Sequence, residues 1–315
     1  MERALIIGGT GFVGRCLVNC IKQETGWDIY AADLPGTDCA DCRVPLYSLD
    51  ITEEKSVTDL LQTVKPDYIF HLAAQSSVGL SWKKPGLTID INIKGAVHVL
   101  EAARSCPRKP RILLIGSSEE YGAADKVPIG EDCRANPGNL YAVTKLCQNH
   151  IGRLYAGAYG LDIILTRSFN HIGPGQGDTF AASDFCRQAA EIELGMRPPV
   201  IYAGNLEAQR DFTDVRDVAR AYVLLMRRGQ RGETYNVGSG RSVPISAVLE
   251  KILALSGVKA EIKTDAGKFR PLDVPAVRAD IRKITEACGW VPSIPLEKSL
   301  SDMLDYWREV LTLRV

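Results

Sequence analysis

The chain has 315 residues, of which 45% are hydrophobic and 24% charged, and its 38 lysines and arginines balance 38 aspartates and glutamates. This length suits a full α/β core with a second lobe, and the neutral charge argues against nucleic acid or an anionic membrane surface as a partner. The apolar runs are too short for a signal sequence or a membrane span. The nine cysteines are odd in number, and the single CxxC pair, Cys39 and Cys42, has no companion pair or histidine cluster, so we expect a reduced, cytoplasmic protein without a metal site.

Short apolar runs alternate with longer amphipathic stretches through the first half of the chain. We predict strands over residues 4–7, 29–32, 68–72, 112–115 and 163–166, and helices over residues 12–22, 54–64, 91–103 and 141–158. This alternation is typical of a parallel sheet that is buried on both faces. The predicted fold class is therefore α/β, a doubly wound Rossmann fold with a smaller, interleaved C-terminal substrate lobe.

The second half of the chain is richer in proline and glycine, as in residues 173–177 and 197–199. Within it, a helix over residues 217–226 and a strand over residues 235–237 are expected to rejoin the parallel sheet. We therefore predict a first domain, which contains the parallel sheet, formed by residues 1–168 and about 210–238, and a smaller substrate lobe formed by about 169–209 and 239–315.

A glycine-rich segment, residues 8–14, follows the first strand and opens the first helix. Its glycines allow a tight turn and a close approach to a pyrophosphate, whose charge the helix N-terminus would stabilise. Asp33 ends the second strand 19 positions after Gly14, where a carboxylate binds a ribose 2′-hydroxyl and repels a 2′-phosphate. No lysine or arginine lies between Asp33 and Arg43, so NAD(H) is favoured, with NADP(H) as the alternative. The predicted cofactor site comprises Gly8, Thr10, Gly11, Phe12, Val13, Gly14, Asp33, Asp50, Ile51, Leu72, Ala73, Ala74, Tyr141 and Lys145.

A candidate catalytic group lies at the fifth strand and in the helix that follows it. Tyr141 and Lys145 are four residues apart, hence on one helix face, where the ammonium would lower the pKa of the phenol and let it exchange a proton near neutral pH. Ser117 ends the strand, and its hydroxyl would hydrogen-bond the same substrate carbonyl. Glu119 completes the group with three open roles: an acid or base, a ligand of a sugar hydroxyl, or the cap of a turn.

Several further segments together resemble the extended short-chain dehydrogenase/reductase family, over nearly the whole chain. They are residues 73–78 (AAQSSV), 116–122 (GSSEEYG), 169–176 (FNHIGPGQ), 204–212 (GNLEAQRDF), 235–240 (YNVGSG), 268–275 (KFRPLDVP) and 289–292 (GWVP). Within that family, the segments are most similar to those of the GDP-4-keto-6-deoxy-mannose reductases and of the related GDP-mannose 4,6-dehydratases.

The resemblance implies a nucleotide-sugar substrate and a homodimer formed through the helices at residues 91–103 and 141–158. The implied substrate-binding residues are Gln75, Ser117, Glu119, Asn170, Arg210 and Arg270. Of these, Gln75 and Glu119 would face the hexose and Asn170 would bind the sugar or its phosphates. The two arginines would neutralise the pyrophosphate.

The implied reaction is NAD(P)H-dependent reduction of the 4-keto group of a GDP-4-keto-6-deoxyhexose, with GDP-rhamnose as the favoured product. The loop at residues 170–176 is similar to the reductase version, and the arginine-rich segment that dehydratases carry after the second strand is absent here. A 4,6-dehydratase and another nucleotide-sugar epimerase or reductase stay open as alternatives. A non-catalytic dinucleotide sensor also stays open, although such proteins normally lack the tyrosine or the lysine.

Overall fold

The structure is a computed structural model, and it describes residues 1–37, 43–269 and 274–313. Its strands are β1 (Arg3–Ile7), β2 (Asp28–Asp33), β3 (Leu46–Ser48), β4 (Tyr68–His71), β5 (Arg111–Ser117), β6 (Ile163–Ser168), β7 (Asn170–Ile172), β8 (Val200–Ala203), β9 (Gln209–Asp214), β10 (Thr234–Val237), β11 (Ser242–Pro244) and β12 (Glu261–Thr264). Seven of them form one parallel sheet in the order β10-β6-β5-β4-β1-β2-β3. The predicted doubly wound α/β fold is confirmed.

The helices are α1 (Phe12–Glu24), α2 (Glu54–Val64), α3 (Val78–Lys83), α4 (Pro85–Ile89), α5 (Gly95–Ser105), α6 (Leu140–Ala158), α7 (Ala181–Glu193), α8 (Val215–Arg228), α9 (Ile245–Ser256), α10 (Arg282–Cys288) and α11 (Leu296–Thr312). The helix predicted over residues 91–103 is divided, because a π-helical turn at Asp90–Lys94 precedes α5. That turn holds the buried Asn92, whose amide group donates to Gln75 and Thr144.

The sheet is buried on both faces, and β1 shows how the sequence produces this. Ala4 and Ile6 enter one hydrophobic core together with side chains of α1 and α8. Leu5 and Ile7 enter the other core, against α2 and α5. Because successive residues of a strand point to opposite faces, an unbroken apolar run requires helices on both sides of the sheet.

The second half of the chain adds two small sheets and a third core. Strands β11, β9 and β7 form a three-stranded sheet, and β12 pairs with β8. Buried side chains of α7, α9 and α11 form the third core, including Phe185, Val248 and Trp307. The predicted return to the parallel sheet is confirmed by α8 and by β10, which pairs with β6. Among the helices in the described residues, none combines the length and apolarity that crossing a membrane requires.

Candidate active site

The glycine-rich loop packs the end of β1 against the segment after β4 and the start of α1. Gly8 has a φ of +90°, and a Cβ atom there would lie 2.7 Å from the backbone nitrogen of Ala73. A Cβ atom at Gly14 would lie 2.6 Å from the carbonyl oxygen of Gly9. Gly11 is the N-cap of α1 and has no side chain to accept from the first-turn N–H groups, which can therefore donate to a phosphate. The loop fits the pyrophosphate of a dinucleotide in both shape and hydrogen-bond donors.

Asp33 lies at the end of β2 and is tied to this loop by Thr10. The backbone nitrogen and the hydroxyl of Thr10 donate to Oδ2 of Asp33 at 3.0 Å and 2.6 Å. The backbone nitrogen of Leu34 donates to Oδ1 at 2.9 Å. The carboxylate is thereby held at the cleft wall, and Thr10 contributes to the site through Asp33.

One cleft of about 1290 Å³ runs along the carboxyl ends of the sheet strands to the segments beyond β6. Typical small-molecule pockets have about 300–1,000 Å³, so this cleft has room for a cofactor and a substrate together. The predicted site residues that line it are Gly8, Gly11, Phe12, Val13, Gly14, Asp33, Asp50, Ile51, Leu72, Ala73, Ala74, Ser117, Glu119, Tyr141, Lys145, Asn170 and Arg210. In the part of the chain that the structure describes, no cluster of three or more His, Cys, Asp or Glu residues could hold a metal ion.

The hydroxyls of Ser117 and Tyr141 meet in this cleft. Ser117 is the last residue of β5, Tyr141 lies in the first turn of α6, and both side chains line the cleft. Desolvation raises the pKa of Tyr141 above its usual range, and the Ser117 side chain opposes that rise. The raised pKa favours the phenol form of Tyr141, which can act as a proton donor.

Lys145 follows Tyr141 by one helical turn and has different contacts from those predicted. Its ammonium donates to the carbonyl oxygen of Ile115 at 2.7 Å and to Oε1 of Gln148 at 3.2 Å. Burial lowers the pKa of Lys145 to about 8, against the attraction of Glu120. The net lowering of the Tyr141 pKa that the helical spacing predicted is not seen, because desolvation of the phenol is the largest effect on that pKa.

Glu119 lines the cleft beside the N-terminus of α6. Its Oε2 accepts a hydrogen bond of 3.0 Å from Nδ2 of Asn139, the N-cap of that helix. The cap of the turn at Ser118–Tyr121 is formed instead by Ser117 and Glu120. Of the three roles left open for Glu119, turn capping is therefore taken by its neighbour, while the acid-base role and the sugar-binding role remain.

The predicted substrate residues divide into three groups. Asn170 and Arg210 line the cleft, and Nη1 of Arg210 donates to the carbonyl oxygen of Val274 at 2.7 Å. Arg270 lies outside the described residues. Gln75 is buried, and its amide group bonds Ser77 and Thr88. The structure does not bring Gln75 into the cleft lining, since its amide group bonds the loop after β4 and α4, and the contact with the hexose stays a prediction.

Two contacts across the cleft were not predicted. Lys268 forms an ion pair of 2.6 Å with Asp184 of α7, and both residues line the substrate end. Phe12 of the cofactor loop stacks on His171, with ring centroids 6.0 Å apart. Both contacts join residues far apart in the chain, so no local spacing could have indicated them. Phe12 and His171 each lie in a motif that the sequence analysis identified. The sequence alone does not reveal that these two motifs are in contact.

The chain is similar to known proteins over nearly its whole length. The profile of the GDP-mannose 4,6 dehydratase family matches residues 5–303. GDP-6-deoxy-D-mannose reductase from Pseudomonas aeruginosa is 32% identical over 97% of this chain and 97% of its own length.

Two solved structures extend the similarity to the fold. RMD from Pseudomonas aeruginosa, complexed with NADPH, is 31% identical with a TM-score of 0.87, covering 98% of this chain and all of that one. UDP-glucose 4-epimerase from Brucella ovis, in complex with NAD, is 25% identical with a TM-score of 0.88, covering 98% of this chain and 99% of that one. Proteins of this fold thus bind NADPH in one case and NAD in another.

Proposed function

The chain belongs to the GDP-mannose 4,6-dehydratase family, and on that premise we propose that it reduces the 4-keto group of a GDP-4-keto-6-deoxyhexose to a GDP-6-deoxyhexose, GDP-rhamnose being the favoured product. The protein is an NAD(P)-dependent nucleotide-sugar oxidoreductase. The observation that carries the proposal is the placement of Ser117 and Tyr141 together in one cleft, whose desolvation raises the pKa of the phenol.

A carbonyl oxygen placed between these two hydroxyls would accept a hydrogen bond from each of them. When bound, the reduced nicotinamide supplies the hydride for the carbonyl carbon. Tyr141 gives its proton to the oxygen as negative charge develops there, and Ser117 stabilises the same charge. Lys145, one helical turn further along α6, stabilises the phenolate that is left and binds the nicotinamide ribose.

Reduction uses the protonated form of Tyr141, because the phenol gives its proton to the developing alkoxide. Desolvation raises the pKa of Tyr141 and so favours that form. The loop at residues 170–176, which is similar to the reductase version, supports reduction over the 4,6-dehydratase reaction.

A 4,6-dehydratase is the second candidate, and the position of Glu119 favours it. That reaction needs a base for the C5 proton, and the Glu119 carboxylate lines the cleft, held by Asn139 at the start of α6. In the reductase, the same carboxylate would bind a sugar hydroxyl.

One assay separates the two candidates. NADH and NADPH absorbance is followed with GDP-4-keto-6-deoxy-mannose, generated in situ by a dehydratase, and the sugar product is then identified. Substrate-dependent oxidation with a 6-deoxyhexose product supports the reductase and reports the C4 stereochemistry. Conversion of GDP-mannose to the keto-sugar without added cofactor, and without net oxidation, would identify a dehydratase.

The remaining roles in the site form part of the same proposal. We assign the dinucleotide to the glycine-rich loop, Asp33 and the segments after β3 and β4, with NADH favoured because of the Asp33 carboxylate. Asn170 binds the sugar or its phosphates, and Arg210 and Arg270 neutralise the diphosphate. The cleft position of Asn170 and Arg210 supports these two assignments.

We also propose a homodimer formed through α5 and α6, in the cytoplasm. Val143 and Leu154 of α6 are 45% and 67% exposed and lie three turns apart on one side of the helix, as an apolar contact surface requires. The cysteines within the described residues are all free thiols, which suits a reducing compartment. Light scattering on wild type and Leu154→Glu tests the dimer, since a charged side chain at the contact should give monomers.

The division into a dinucleotide-binding domain and a substrate lobe stays a proposal with one adjusted boundary. Strand β9 pairs with β7 and β11 in the three-stranded sheet. Helix α8, by contrast, packs in the core of the parallel sheet. We therefore place the return to the first domain at Val215 instead of about residue 210.

A further inference from the structure

Glu120 is a fully buried carboxylate directly behind the candidate catalytic serine. Its exposed fraction is 0%, and three donors point at it. The backbone nitrogen of Ser117 and Nδ2 of Asn149 donate to Oε1 at 2.9 Å and 2.6 Å, and Nε of Arg167 donates to Oε2 at 2.8 Å. From this arrangement we infer that Glu120, which is paired with Arg167, is a positioning residue for Ser117, an inference that rests on the proposed oxidoreductase site.

Ser117 and Glu120 form a capping box around the turn at Ser118–Tyr121. While Glu120 accepts from the backbone nitrogen of Ser117, the Ser117 Oγ accepts from the backbone nitrogen of Glu119 at 3.2 Å. This capping box fixes both the backbone and the side chain of Ser117. The direction of the Ser117 hydroxyl toward Tyr141 therefore depends on the carboxylate of Glu120.

The Glu120 carboxylate also explains why position 116 is a glycine. A Cβ atom at Gly116 would overlap Oε1 of Glu120, Nδ2 of Asn149 and the carbonyl oxygen of Thr166. Glu120 thus occupies the space that any larger residue at position 116 would need. One short segment, residues 116–120, therefore carries both the Ser117 hydroxyl and the Glu120 carboxylate that orients it.

Arg167 is held in turn by contacts that reach the edge of the sheet. Its guanidinium lies over the ring of Tyr121, 4.5 Å from the centroid, and forms a buried ion pair with Glu120. The Tyr121 hydroxyl donates to Oδ1 of Asn236 in β10 at 2.7 Å. A well-packed apolar pair often stabilises a core as well as a buried ion pair does, but it could not accept the Ser117 N–H. Positioning of Ser117 therefore requires an acceptor oxygen at position 120, and because Arg167 also donates to this side chain, a carboxylate provides enough acceptors.

The first variant is Glu120→Gln. An amide side chain has one acceptor oxygen for the three donors, and its NH2 group must face one of them. We expect kcat for the 4-keto sugar to fall at least about tenfold, with the KM values for substrate and cofactor within about twofold of wild type. Glu131→Gln is the matched control, because Glu131 also accepts a backbone N–H, that of Asn236, but does not touch Ser117. Its kcat should not change.

The second variant is the double change Glu120→Gln with Arg167→Met, which removes the competing guanidinium. The introduced amide oxygen at position 120 can then accept from Ser117 and Asn149, so we expect kcat to recover at least about threefold over Glu120→Gln alone. A wild-type kcat in Glu120→Gln would overturn the inference. A double variant that regains its melting temperature without regaining kcat would also overturn it.

Hydrogen exchange at the Ser117 amide gives a readout that does not depend on turnover. Exchange should be at least about tenfold faster in Glu120→Gln than in wild type and should slow again in the double variant, while the rest of β5 stays unchanged. If the wild-type protein does not turn over the keto-sugar, the proposed function fails and this exchange pattern alone decides the inference. Equal exchange at Ser117 in all three proteins would refute it.

Discussion

The hydroxyl of Thr10 donates a 2.6 Å hydrogen bond to Oδ2 of Asp33. Thr10 belongs to the loop proposed to hold the pyrophosphate, and Asp33 ends the strand beside the proposed adenosine ribose. The bond therefore couples the two parts of the cofactor site and holds the Asp33 carboxylate where a 2′-phosphate would have to lie.

Replacing Asp33 should change the cofactor preference. Removal of the negative charge in Asp33→Ser removes the repulsion of a 2′-phosphate. We expect the ratio of kcat/KM for NADH to that for NADPH to fall at least about tenfold, which corresponds to about 1.4 kcal/mol. Asp28→Ser, at the other end of β2, is the charge-matched control. An unchanged ratio in Asp33→Ser would remove Asp33 from the proposed cofactor site.

Removal of the Tyr141 hydroxyl should abolish most of the reduction while sparing the cofactor. A positioned proton donor contributes about 10²–10⁴-fold to a rate, so Tyr141→Phe should lower kcat by that factor. Its NADH dissociation constant, measured by fluorescence titration, should stay within about twofold of wild type.

Tyr155→Phe is the control for Tyr141→Phe. Tyr155 lies on the same helix, and its hydroxyl donates to Glu101, so its loss should leave kcat unchanged. Wild-type turnover in Tyr141→Phe would refute its role as the proton donor.

The pH dependence of reduction should report the charge of Lys145. Burial lowers the pKa of Lys145 to about 8, so the ammonium loses its proton as the pH rises through that value. Because the charge stabilises the phenolate left on Tyr141, we expect kcat to fall above about pH 8.

Lys145→Arg tests the assignment of that descending limb. Arginine stays charged in this range, so the variant, although slower, should keep a constant kcat up to about pH 10. A descending limb at the same pH in both proteins would mean that another group titrates.

Acid stability should depend on His71. Burial lowers the pKa of His71 to about 3, whereas an unfolded chain protonates histidine below about pH 6.5. The contribution of His71 to the free energy of unfolding is therefore fully present above pH 6.5 and is lost as the pH falls toward 3. About 2 kcal/mol of it is lost at pH 5.

His71→Leu should flatten this dependence. Neither ring nitrogen of His71 has a hydrogen-bond partner among the residues that the structure describes, so leucine leaves no polar group unsatisfied. The free energy of unfolding, measured in urea at pH 7 and pH 5, should differ between the two pH values by about 2 kcal/mol less in the variant. His150→Ala, at an exposed position of α6, should behave like wild type. Equal pH dependence in His71→Leu and wild type would contradict the expectation.

Local patterns in the sequence were sufficient for most strands and helices of the parallel sheet and for proposing the centre of the candidate site. Apolar runs that alternate with amphipathic stretches predict a parallel sheet, because both faces of such a sheet must be buried. The observed seven-stranded sheet with helices on both faces agrees with this prediction. The glycines at 8, 11 and 14 and the spacing of Tyr141 and Lys145 are local features of one loop and one helix. Such features require no knowledge of distant contacts.

The tertiary structure decided the properties that depend on contacts between distant segments. The amide group of Gln75 bonds Ser77 and Thr88, and the ammonium of Lys145 bonds the carbonyl oxygen of Ile115. The Glu120 carboxylate meets Arg167, 47 residues later in the chain. Hydrogen-bond partners and desolvation follow from which strands and helices pack together, so the pKa direction of Tyr141 and the support of Ser117 could only be read from the folded chain.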